Sequence, residues 1–146
     1  MAAVLGLNAK AYHNTGSYGT PVWDLIGNIK NLTLNMEKGE ADVTTRANNG
    51  WKAMIGTLKD ASVDFEMVWD TADTDFTAIQ SAFLNNTDIE FLILDGLVAT
   101  AGSQGLRATM TVSGFTRNEQ LEEALTVAVK IRPTYATNAP SWWTTP

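Results

Sequence analysis

The run NIKNLTLNMEKGEADVTTRANNGWKAMIGTLKDASVDFEMVWD, Asn28 to Asp70, decides how this 146-residue chain is read. Within it, Ser62–Asp70 sets Val63, Phe65, Met67 and Trp69 on one side of an extended chain. Ser62, Asp64, Glu66 and Asp70 fall on the other side, with Val68 the exception. Alternation of that kind describes a strand with one buried and one wet face. Leu32, Leu34 and Met36 keep the same two-residue period over Asn28–Met36, and Trp51–Leu58 is a further strand-like run. Lys59-Asp60 reads as a turn before Ser62. Between the first two strands lies EADVTTRANNGW, Glu40 to Trp51, where a two-residue turn would have been enough. Asn48-Asn49-Gly50 supplies the positive-φ positions of a tight turn, so the tip is expected to be a formed hairpin. Connections of this length tend to be functional or disordered, the alternative here being a solvated hairpin tip.

Outward from that run, Ala9–Tyr12 is a candidate edge strand, and HNTGSYGTP, His13 to Pro21, reads as loop. Pro21-Val22-Trp23 leads toward the central strands. One helix follows Asp70: Asp73 or Thr74 can cap it, Asp75 suits its first turn, and Phe76, Ile79 and Phe83 recur at helical spacing up to Asn85-Asn86. Asp88–Asp95 is extended with both faces apolar, and Gly96–Gly105 is a soft loop. Gly105–Thr116 alternates Leu106, Ala108, Met110 and Val112 against Arg107, Thr109, Thr111 and Ser113. Ala124–Arg132 does the same with Leu125, Val127, Val129 and Ile131, and the polar RNEQLEE, Arg117 to Glu123, joins the two. The tail NAPSWWTTP carries prolines that are expected to keep it out of a sheet. Seven or so strands, one helix and short connections predict a mainly β fold, an antiparallel sandwich or barrel with a single packed α-helix. Residues 1–146 form one domain on this reading. The expected core holds Val63, Phe65, Met67, Trp69, Met110, Val112, Val127, Val129 and Ile131, with Phe76, Ile79 and Phe83 covering an opening.

Composition narrows the function. The chain has no cysteine, which excludes disulfides, thiol catalysis and cysteine–zinc sites. Its start, MAAVLGLNAKAYHNT, lacks the pattern of a signal peptide, and no run approaches a membrane span, so residence in a cytoplasm is expected. Net charge is −6, which argues against a grip on nucleic acid through phosphate neutralisation. Nine acids and no lysine or arginine lie between Asp60 and Leu106. That middle third is a solvated face, or else a surface complementary to other copies, or one that must not hold DNA.

Chemistry finds few candidates. His13 is the only histidine and has no serine or cysteine partner motif. Asp70, Asp73 and Asp75 resemble the opening of a calcium loop, but the central glycine and the glutamate at position twelve are missing. Asp64 and Glu66 share a strand face as glycosidase carboxylates might, though alternating acids on a wet face are far commoner. No phosphate-binding glycine pattern occurs. No catalytic residue, cofactor or metal is therefore expected. Trp51 and Trp69 read as core. Trp142 and Trp143 are adjacent on an extended tail, so their rings point oppositely: one can pack at home while the other faces something else.

KGEADVTTRANNGWKAMIGTLKDASVDFEMVWDT (Lys38–Thr71), GSQGLRATMTVSGFTRNEQLEEALTVAVKIRPTY (Gly102–Tyr135) and NAPSWW resemble the tail tube (major tail) proteins of long, non-contractile-tailed bacteriophages. The first carries the acidic–threonine–arginine loop, the glycine-aromatic turn and the following long strand. The second resembles the closing hairpin, and the third the tail. The resemblance implies a compact subunit with one outer helix, a long assembly loop at about 37–51 and an extended tail at about 136–146. It implies homo-hexameric rings stacked into a hollow tube, located in the virion tail and assembled in the host cytoplasm. Implied partners are further copies and other tail proteins such as the tape measure and tail terminator. DNA would pass the lumen only transiently, without specific binding and without any membrane. Asp64 and Glu66 become candidate lumen-facing acids. Glu40, Asp42, Thr44, Thr45, Arg46, Asn48, Asn49 and Gly50 become the inter-ring loop, mobile until it meets an adjacent ring. Trp142 and Trp143 become candidate tail contacts. Two other classes stay open: the ring-forming tube of a contractile injection or secretion system, and a small-ligand-binding β-sandwich with an aromatic-lined pocket.

Overall fold

A computed structural model describes residues 3–146. Its strands are β1 (Lys10–Asn14), β2 (Trp23–Leu25), β3 (Ile29–Asp42), β4 (Met54–Val68), β5 (Asp88–Leu94), β6 (Gln104–Asn118), β7 (Thr126–Pro133) and β8 (Ser141–Thr144), with one helix, α1 (Thr74–Asn85). All pairings are antiparallel, in the order β2-β1-β5-β6-β7-β4-β3, and β8 lies beside β6. Strand β6 organises the sheet. One of its edges holds β5 along Gly105–Thr111; the other holds β8 at Gln104–Arg107 and then β7 from Met110 onward. A register shift between Val112 and Gly114 marks a bulge, a device that bends and twists a strand.

The sheet curls so that inward residues from both of its halves share one core. Phe91, Ile93 and Met110 come from one half and Val63, Phe65, Met67, Val127, Val129 and Ile131 from the other. The alternation read in β4 and β7 is the cause, since every second side chain reaches the same face. α1 covers the core with Phe76 and Ile79, both fully buried. Asp73 caps the helix by accepting hydrogen bonds from the N–H groups of Asp75 and Phe76, and Asn86 ends it in the left-handed region at φ 55°. Phe83 stays partly exposed and stacks on Phe115 at 5.8 Å.

A second cluster lies on the opposite face of β1 and β5, built by Tyr12, Leu92 and Leu94 with Trp23, Val98 and Trp143. Arg107 is buried beside it. Its guanidinium stands 3.8 Å from the Tyr18 ring centroid and 5.2 and 5.4 Å from those of Trp23 and Trp143. Nε donates to Glu90 Oε1 at 2.7 Å and Nη2 to the Tyr18 carbonyl at 2.7 Å. The alternation of β6 places Arg107 on the side expected to be wet, but the His13–Pro21 connection and the C-terminal tail cover that side.

Five expectations are corrected. Lys59-Asp60 is no turn; β4 runs unbroken from Met54 to Val68 because both residues pair with β3. β1 is an inner strand rather than an edge, flanked by β2 and β5. His13 belongs to β1 and is buried, not in the loop. The tail does join the sheet: Pro140 precedes β8 and Pro146 follows it, so neither removes a ladder donor. Trp51 is 78% exposed, whereas Trp69 packs against the core edge-on to Phe76 at 4.9 Å.

Candidate assembly site

Strand β4 pairs with β7 only from Val63 to Val68. Toward Met54 its sole partner is β3, so Asn35–Asp42 and Met54–Ser62 leave the body as a two-stranded ribbon. The ribbon projects about 26 Å, at 3.3 Å per residue. Along it and its tip Met36, Val43, Trp51, Met54, Ile55 and Leu58 are solvent-exposed, Leu58 at 85%. A lone two-stranded ribbon is marginal in water, and this one also presents unpaired backbone on both outer edges. Arg132 anchors its base, with Nη2 2.7 Å from Asp60 Oδ2.

The connection at the tip is residues 43–53, set further along the chain than the sequence suggests because β3 continues through Glu40 to Asp42. Val43 N–H donates to the Ala53 carbonyl at 2.9 Å, and Ala53 N–H to Thr44 Oγ1 at 2.9 Å. Asp42 Oδ1 accepts from Thr44 N–H at 2.8 Å; the Thr44 bonds hold its carboxyl below the ordinary 3.8. Thr45 N–H donates to Asn48 Oδ1 at 2.7 Å across a single 3-10 turn, Arg46–Asn48. Asn49 and Gly50 take φ of 54° and 84°, the positive values their residue types favour. Glu40 and Arg46 remain exposed. Eight of the residues singled out from the sequence thus fall on the ribbon end and its tip.

Asp64 and Glu66 are half-buried on the outer sheet face, in a shallow depression with Asn31, Thr33, Thr116 and Lys130. Lys130 stands directly across from Asp64, so one base offsets part of their charge. The tail separates its two tryptophans. Trp143 packs edge-on to Trp23 at 5.9 Å, and Trp142 is exposed, donating through Nε1 to Gln104 Oε1 at 3.0 Å. Trp142 also borders an open groove of about 600 Å³ between the ribbon base and the tail, of which it is the one aromatic residue.

The acids weighed for calcium have local duties. Asp73 caps α1, and Asp70 accepts from Ala72 N–H at 3.0 Å. Asp75 Oδ1 lies 2.5 Å from His13 Nε2, with Asp24 Oδ2 at 3.5 Å from the same nitrogen. These three side chains join β1, β2 and α1, a cluster invisible in sequence because its members lie on separate elements. No helix among the described residues is long and apolar enough to cross a membrane.

No protein-family model matches the chain, and no curated protein does. Solved structures match over nearly its whole length. A chain from the tail of the empty gene transfer agent particle, determined with C6 symmetry, superposes with a TM-score of 0.73 at 16% identity, covering 99% of this chain and 100% of that one. A chain of the SPP1 tail tube gives 0.68 at 14% identity, covering 89% and 75%. A chain of the anti-feeding prophage baseplate gives 0.64 at 10%, covering 99% and 97%. The chain has the tail tube fold.

Proposed function

We propose that this chain is a structural subunit whose copies close into six-membered rings and stack into the hollow tail tube of a phage-like particle. The observation that carries the reading is the ribbon of β3 and β4, which exposes Met36, Met54, Ile55 and Leu58 among its charged side chains and is unpaired along both edges. Edge-to-edge pairing of ribbons from successive copies removes those edges and closes an inner barrel. Likeness in fold to a tail chain determined with C6 symmetry supports the six-fold arrangement. In this role the tip from Glu40 to Gly50 reaches the next ring, Trp143 holds the tail to its own subunit while Trp142 serves its outward contact, and tape measure and terminator proteins bind the finished tube. The subunit works in the virion tail after assembly in the host cytoplasm, and DNA passes the lumen without being held. Its task is architectural, not catalytic.

Negative-stain microscopy of concentrated purified protein tests this. Hollow tubes with six-fold end views are expected; a protein that stays monomeric at every concentration overturns the reading. The likeness to the anti-feeding prophage chain favours a second reading, the tube of a contractile injection system. A sheath protein encoded beside this chain and co-purifying with its tubes selects that reading.

A further inference from the structure

The subunit has two chemically opposite ends. Strand β4 runs from Met54, beside the ribbon tip, to Val68, beside the β6–β7 turn. Fourteen residue steps separate them, roughly 46 Å at 3.3 Å per residue. Trp69 N–H donates to the Leu125 carbonyl at 2.9 Å, which fixes the turn at the far end. The tip connection, residues 43–53, carries Arg46 and Lys52, with Trp51 standing out at 78% exposure; the adjoining acid, Asp42, is already engaged by the Thr44 N–H at 2.8 Å. The turn carries Glu119, Glu122 and Glu123, with Leu121 wholly exposed. Arg117 pairs with Glu119; among the described residues Glu122 and Glu123 meet no base of their own subunit, Glu123 having only the neutral Gln120 amide beside it.

Resting on the tube reading, we infer that the partner surface for the tip is the β6–β7 turn of a copy in the adjacent ring. Trp51 packs on Leu121 there, and Arg46 and Lys52 face Glu122 and Glu123. Each end is unsatisfied alone, and the two match in both respects, an exposed apolar side chain flanked by charge of opposite sign. The contact joins opposite ends of the molecule, so it is heterologous: it cannot close on two copies and repeats along an axis. Tip against tip would set base against base, and turn against turn acid against acid. The charges therefore select one polar stacking direction.

Charge reversal tests the contact. Arg46→Glu with Lys52→Glu, and separately Glu122→Lys with Glu123→Lys, should each abolish tubes while leaving melting temperature and circular dichroism as in the parent. A tube should return when all four changes are combined in one chain. Because the chain contains no cysteine, Trp51→Cys with Leu121→Cys gives a second, independent readout. Oxidation of assembled protein should yield a ladder of covalent species extending past the number of copies in one ring. Tubes from either reversed variant at parental yield, or a ladder that stops at dimers or at a single ring, overturn the contact and leave the tube reading intact. A parent that forms no tube overturns both.

Discussion

Oδ1 of Asp75 lies 2.5 Å from Nε2 of His13, a buried contact that ties the first turn of α1 to β1 across 62 residues of chain. Burial is the largest influence on this carboxyl and raises it above its ordinary 3.8; the bond to His13 lowers it, and the nearby Asp24 raises it again. A carboxyl raised by folding binds its proton more readily in the folded state. Its contribution to stability is full below pH 3.8 and is lost as pH rises through the folded value. Measured from about pH 3 to 7, the melting temperature of the parent should therefore fall relative to that of Asp75→Asn as pH increases. Parallel melting profiles would show that Asp75 is not the titrating group.

The helix is held chiefly by what it buries. Phe76 is fully enclosed between Trp69 and Phe115, at 4.9 and 5.9 Å, beneath the curled sheet. Phe76→Ala removes a ring and leaves a cavity, at a cost of about 3–5 kcal/mol. Urea unfolding should show a lower midpoint with an unchanged slope. A cost below about 1 kcal/mol would mean that α1 is docked by other contacts.

Where the sequence was readable, the reason is local. β4 and β7 repeat apolar residues every second position, and this period alone places Val63, Phe65, Met67, Val127, Val129 and Ile131 in the core. Asp73 ahead of Phe76 and Ile79 gives the helix for the same kind of reason. What was not readable depends on partners distant in sequence. Arg107 looks wet by alternation and is buried because Tyr18 and Trp143, from opposite ends of the chain, close over it. His13 gave no local sign of its carboxylate partners on β2 and α1. Trp51 carries a core residue's composition yet stands in solvent, since its segment lies beyond the strands that could cover it. The connection at residues 43–53 shows in the sequence through its length and residue types, whereas the projection of the ribbon beneath it depends on where β7 stops pairing with β4.

Among the glycines, Gly105 has the least room for a side chain; it pairs with Leu94 on one side and Trp143 on the other. A Cβ built there would lie 1.5 Å from the Ile93 carbonyl oxygen, a backbone atom that cannot swing aside. Gly105→Ala must push β5 and β6 apart, costing about 1–3 kcal/mol or more. The expected result is a markedly lower melting temperature with weakened protection of the β5–β6 amides from hydrogen exchange. Wild-type protection throughout would contradict this close approach.

If Asp64 and Glu66 face the bore of a tube, they contribute to a lining that DNA cannot grip. Lys130 already offsets part of their charge, so converting both acids to lysine should turn this patch clearly basic. Both side chains sit on the outer sheet face away from the core, and the fold should tolerate the change. Tubes of Asp64→Lys with Glu66→Lys should retain double-stranded DNA at low salt and release it as salt rises. Equal retention by parent and variant would place the two acids outside the bore.

The ribbon tip offers the sharpest separation between a connector and an assembly element. Its own hydrogen bonds already shape it, so ordering it against a neighbour costs less than the roughly 1–2 kcal/mol per residue of a free loop. Val43 and Ala53 are hydrogen-bonded partners, which makes residues 44–52 replaceable by a two-residue Asn-Gly turn. No fully buried side chain is lost, because every residue from Thr44 to Lys52 is exposed or half-buried. Shortening the loop also lowers its closure cost by about 1 kcal/mol. The truncated chain should therefore melt at or slightly above the parental temperature and stay soluble. On the assembly reading it loses Arg46, Trp51 and Lys52 together, and light scattering at concentrations where the parent polymerises should stay at the level of free subunits or single rings. A truncated chain that polymerises at the parental rate would make the tip a connector, and the search for the inter-ring contact would move to the ribbon faces.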